Sequence, residues 1–160
     1  RIAAEHPHFR LKVIGVLSKP VEGLEWMEVV ATPPGKSNYP EFARWLRQEA
    51  GNCHFGIAPL VNTPFNNTKS GLKVMEYAGL GLPALASQGT VYRDICAQAP
   101  HARAVANTTA AWVEALEAMI VAEEATLLAE GAAMREWVFA DKMLDGTLGE
   151  FDGLLAKVLR

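Results

Sequence analysis

The sequence predicts an α/β fold: a Rossmann-like, doubly wound parallel sheet flanked by helices. Three observations lead there. Five short apolar runs, at 11–17, 26–31, 54–60, 83–87 and 102–107, alternate with stretches of helical periodicity. The central run of these, 54–87, reads as strand, polar loop, helix and strand, the βαβ unit of a parallel sheet. The composition, 50% hydrophobic and 21% charged over 160 residues, suits one soluble globular domain with a real core. The expectation is a single domain, 1–160, whose last part, 109–160, is helical.

Taken in order, residues 1–9 (RIAAEHPHF) read as the tail of a helix, and Pro7 between His6 and His8 breaks any regular metal-binding face. The run 11–17 (LKVIGVL) is a buried-strand pattern, and 26–31 (WMEVVA) is a second. TPPGK at 32–36 marks a loop. Ser37 or Asn38 caps the next helix, with Pro40 in its first turn and Phe42, Trp45 and Leu46 at helical spacing. After the central unit, a short helix covers 91–98 and a weak last strand covers 102–107. Asn107–Thr109 caps a helix over 110–124 that places Trp112, Ala115, Leu116, Met119 and Ile120 on one face. Two further helical segments follow, 126–144 and 147–159, with Trp137 and Phe139 read as core or as cover for a partner surface.

The central stretch, NNTKSGLKVMEYAGLGLPALAS at 66–87, organises the rest. Its helix opens at Ser70-Gly71 and stops at Gly81. Lys69, Lys73 and Glu76 recur at i, i+4 and i+7 and so share a face, at the end of a crossover helix that points to the carboxyl ends of the strands. Free N–H groups around Ser70, Gly71 and Leu72, with the positive helix end, suit a phosphate. A plainer reading stands beside this one: Lys73 and Glu76 form a surface ion pair, Ser70 is an N-cap, and Asn66 and Asn67 make a turn. Tyr92 either lines a pocket or packs.

The run IAPLVNTPFNNTKSGLKVMEYAGLGLPALASQGTVYRDI, 57–95, resembles the donor-binding, C-terminal half of GT-B glycosyltransferases in their large retaining (glycogen-synthase-like) family. Pro59-Leu60, Phe65-Asn66, Lys69-Ser70, Lys73, Glu76-Tyr77, Gly81, Pro83, Ser87 and Tyr92 carry the resemblance. It implies that Glu76 holds the ribose hydroxyls of a nucleotide sugar, and that Lys69 and Lys73, with the backbone of Ser70, Gly71 and Leu72, surround its diphosphate. The two lysines are the implied catalytic groups. Asn66, Asn67, Thr68 and Tyr92 complete the implied donor site. One position departs: members often carry a second glutamate in a Glu-x7-Glu pattern, and here Thr68 stands there. The sugar preference therefore does not transfer.

The resemblance implies a hexosyl transfer from a nucleotide diphosphate sugar, such as one of UDP, to a polysaccharide or glycoconjugate acceptor. An N-terminal acceptor-binding domain of the same protein would supply the rest of the site. Relatives also begin this domain with one more strand, so the domain reads as truncated at its start. No cofactor and no metal are expected, since no Asp-rich or His cluster accompanies the phosphate site. A net charge of −3 gives no nucleic-acid footprint, and no apolar run has the length of a transmembrane segment. Cys53 and Cys96 lack metal or redox spacing, which fits a cytoplasmic setting, with membrane association left to regions outside this chain. The alternatives are a nucleotide-sugar epimerase and a non-catalytic nucleotide-binding module of the same fold.

Overall fold

The structure, a computed structural model, describes residues 1–35 and 38–142, and for Thr90 the backbone alone. The expected Ser37 cap, the end of the 126–144 helix and the 147–159 helix lie outside the described residues. The chain forms two compact units, Arg1–Cys53 with Leu116–Val121, and His54–Ala115 with the chain from Ala122 onward.

The first unit contains helix α1 (Ile2–Glu5), strands β1 (Leu11–Ile14) and β2 (Met27–Val30), and helix α2 (Tyr39–Ala50). β1 and β2 pair in parallel, Leu11 opposite Met27 and Ile14 opposite Val30. β1 is shorter than its apolar run because Gly15 turns the chain aside at φ 67°. α2 starts where Asn38 Oδ1 accepts from the Glu41 N–H at 3.0 Å, with Pro40 in its first turn. Trp45 is buried, its ring 5.7 Å from that of Phe42.

The second unit holds β3 (Gly56–Ala58), α3 (Leu72–Leu80), β4 (Ala84–Ser87), α4 (Thr90–Gln98), β5 (Ala102–Val105) and α6 (Glu124–Asp141). Helix α5 (Thr109–Ile120) gives residues to both units. The three strands are parallel in the order β3-β4-β5, with α3 and α4 as the crossovers. The fold is thus α/β, with parallel strands in two small sheets flanked by helices. One continuous doubly wound sheet is not what forms: among the described residues no strand pairs with both β1 and β3.

All of β4 is buried. Its alanines pack with Ala58, Val74, Ala78, Tyr92, Met134 and Val138 in one apolar cluster. Small residues let α3 come close at three places. The Tyr77 ring fills the space where a Cβ on Gly56 would sit, and its hydroxyl donates to the Ile57 carbonyl at 2.6 Å. At its end, Gly81 takes φ 77° while the Gly81 and Leu82 N–H groups close onto Ala78 and Tyr77, a Schellman stop. Gly131 of α6 sits against the Gly81 carbonyl with no room for a side chain. At the other end a Cβ on Gly71 would lie 2.8 Å from Ile95 Cγ2 of α4. Fixed at start, middle and end, α3 presents its N-terminus at the carboxyl edge of the sheet.

Candidate functional site

The loop between β3 and α3 contains a single 3-10 turn, Asn66–Thr68. Its polar side chains bind the loop itself. Asn66 Nδ2 donates to the Val61 carbonyl at 2.8 Å, and the Asn66 N–H donates to Thr63 Oγ1 at 3.1 Å. Asn67 Nδ2 donates to Asn62 Oδ1 at 2.8 Å, and the Thr68 hydroxyl donates to the Phe65 carbonyl at 2.8 Å. The turn role that the sequence allows for the two asparagines is therefore formed.

Two details of the polar stripe differ from expectation. Lys69 lies in extended backbone after the 3-10 turn, so it is not in helical register with Lys73 and Glu76; its ammonium stands 5.3 Å over the Phe65 ring. Ser70 does not cap α3. Gly71 is the N-cap residue and no side chain bonds there, because close packing on Ile95 reserves that position for a residue without Cβ. Val74 N–H closes onto the Gly71 carbonyl at 3.1 Å. The N–H groups of Gly71, Leu72 and Lys73 precede it, and such first-turn donors have no partner within the helix.

Lys73 and Glu76 do meet, Nζ to Oε2 at 2.6 Å. Lys73 is largely exposed and Glu76 about one-fifth so, which makes this a surface pair contributing about 0.3 kcal/mol. Such pairing leaves chemistry available: an ammonium has three donors, and a carboxylate has a second oxygen that accepts hydroxyl protons.

Beside the loop, at the carboxyl ends of all three strands, lies a shallow cleft that encloses only about 10 Å³, lined by Leu60, Asn62, Asn67, Gln88, Tyr92 and Asn107 among others. Its frame is polar. Ser87 Oγ accepts from the Leu60 N–H at 2.7 Å, and Asn107 Nδ2 donates to the Leu60 carbonyl at 3.0 Å, tying the ends of β3, β4 and β5 together. Of the sequence-predicted site residues, Asn67 and Tyr92 line this cleft, while Asn66, Thr68, Lys69, Ser70, Gly71, Leu72, Lys73 and Glu76 do not. Nothing in the sequence marks Asn62 or Gln88 as lining residues, and Asn107 is offered there only as part of the Asn107–Thr109 cap; in the structure Thr108 Oγ1 accepts from the Ala111 N–H at 3.2 Å, while Asn107 braces the cleft.

Tyr92 is buried, and burial, then the nearby Cys96 and Glu76, push its hydroxyl pKa up. It therefore packs and lines the cleft at once, as a neutral phenol. Burial likewise raises the Cys53 and Cys96 thiols, away from the reactive thiolate. In the first unit, ligand atoms of Glu5, His6 and Glu117 gather within 4.8 Å, and Arg1 pairs with both carboxylates, so one guanidinium already offsets part of their charge.

No helix among the described residues is long and apolar enough to cross a membrane. No family model, no curated protein and no solved structure matches the chain.

Proposed function

We propose that this chain is the donor-binding part of a glycosyltransferase of GT-B type, in which the second unit belongs to a Rossmann-like, doubly wound domain. The observation that carries the reading is the uncapped start of α3. Its free N–H groups and positive end lie at the carboxyl edge of a parallel sheet, with Lys69 just before it in the chain and the Lys73–Glu76 pair just after.

In this reading the diphosphate of a nucleotide sugar sits on the N–H groups of Gly71 and Leu72, Glu76 accepts from the ribose hydroxyls, and Lys69 and Lys73 flank the phosphates. The transfer breaks the bond between the anomeric carbon and the diphosphate oxygen. It forms a bond from that carbon to an acceptor oxygen, whose proton leaves. Negative charge grows on the departing diphosphate, and the helix end with the two ammonium groups stabilises it. The cleft encloses only about 10 Å³, far below the roughly 300–1,000 Å³ of an enclosing ligand pocket. An acceptor-binding domain, N-terminal in the same protein, supplies the opposite wall.

A second reading is a nucleotide-binding module without transfer activity. It draws on Thr68, whose hydroxyl is engaged by the Phe65 carbonyl where the resembling enzymes carry a glutamate. Glu76→Ala tests the donor reading. The side chain is only about one-fifth exposed and pairs with Lys73, so an unchanged Tm first shows that the variant folds, and affinity for UDP or GDP then falls about tenfold, equivalent to about 1.4 kcal/mol. Unchanged nucleotide affinity, measured by calorimetry, refutes the assignment.

A further inference from the structure

The loop between β3 and α3 is turned inside out relative to an ordinary surface loop. Asn66, Asn67 and Thr68 direct their side chains into its own frame, while its large apolar side chains face water: Phe65 is 74% exposed and Val61 72%. An aromatic ring held in water by a cross-braced loop is an apolar surface presented at low entropic cost. The loop is tied to Val61 and Asn62, which line the cleft, by the Asn66–Val61 and Asn67–Asn62 bonds.

We propose that Phe65 is the stacking platform for the pyranose ring of a bound nucleotide sugar. The inference rests on the donor-binding reading and adds a sugar-contacting residue to it. Two observations select this occupant. Lys69 Nζ sits over the Phe65 ring at 5.3 Å, so the platform and a phosphate-binding cation are adjacent. A pyranose has an apolar C–H face and a hydroxyl rim. The first matches the exposed ring, and the rim is matched by amides of the cleft wall. The Asn62–Asn67 bond engages one donor and one acceptor, leaving the remaining amide groups for hydroxyls.

The test is calorimetric titration of the full chain and its Phe65→Ala and Phe65→Trp variants with UDP, UDP-glucose, GDP and GDP-mannose. The exposed ring makes Phe65→Ala safe for folding, and an unchanged Tm checks this. Phe65→Ala is expected to weaken the sugar nucleotide about tenfold while the bare diphosphate changes less than about twofold, and Phe65→Trp is expected to restore the preference. Equal effects on sugar nucleotide and diphosphate, or none on either, overturn the platform while leaving the donor reading standing. A wild-type chain that binds none of the four removes the donor reading itself, and the platform with it.

Discussion

The two parallel sheets of this chain are built from similar sequence patterns and end in different environments. In the second unit, every residue of β4 is buried, and Leu85 has no exposed surface. In the first unit, all four residues of β1 are only partly buried, and one of them is a lysine. Parallel strands are ordinarily covered on both faces. β4 has this cover from β3 and β5 at its edges and from α3 and α4 in contact with it. β1, paired among the described residues to β2 alone, relies in part on Lys12, which reaches Glu49 at 3.3 Å and Glu28 at 3.6 Å. One sheet thus rests on packing, while the other also draws on the ion pairs of Lys12. The packed one carries the uncapped helix end, where a rigid frame holds polar groups in place.

The largest effects expected are those that attack packing. Leu85→Ala removes a fully buried side chain and is expected to cost about 3 kcal/mol; Val13→Ala in half-buried β1 is expected to cost about 1 kcal/mol. Hydrogen exchange reads each sheet by itself, and equal losses of protection would erase the contrast. Gly131→Ala is expected to cost about 2 kcal/mol, because the new Cβ meets the Gly81 carbonyl of a backbone that cannot retreat. Chemical denaturation measures this, and a neutral result would mean that α6 and the end of α3 are loosely packed.

The smallest effect is the one from charge. Burial alone would lower the Lys12 pKa, but the Glu49 hydrogen bond and the surrounding negative charges outweigh it and raise it above 10.5. A raised pKa means that the folded state holds the proton more tightly. The stabilisation is therefore complete below pH 10.5 and is lost as pH rises through the folded value. Protection of β1 and β2 should fall in that alkaline window, after correction for intrinsic exchange, and Lys12→Met should abolish the extra loss. A Met variant with the same alkaline profile would assign the loss elsewhere.

Much of this was readable in advance, for physical reasons that differ by element. The stop at Gly81 follows from a local rule, a glycine free to adopt positive φ, and the helix ends there. β3, β4 and β5 announce themselves as short apolar runs. The start of α3 at Ser70-Gly71 is also legible, but the cap falls on Gly71 and not on Ser70, because Gly71 packs on Ile95 of α4, a contact no local pattern reveals. Lys69 lies outside helical register because it ends the 3-10 turn in extended backbone. Asn107 and Ser87 became part of the cleft frame through bonds to Leu60, 47 and 27 residues away along the chain. Only the folded sheet brings those residues together.

The central claim is that the uncapped start of α3 holds a nucleoside diphosphate. Calorimetric titration of the chain with UDP and GDP, each beside its nucleoside, tests it most directly, with Lys69→Ala as the companion variant. The account predicts that binding requires the diphosphate, and that Lys69→Ala weakens the diphosphate nucleotide several-fold while leaving the bare nucleoside unchanged. Equal affinity for nucleoside and diphosphate, or no binding at millimolar ligand by a chain shown to be folded, would contradict it.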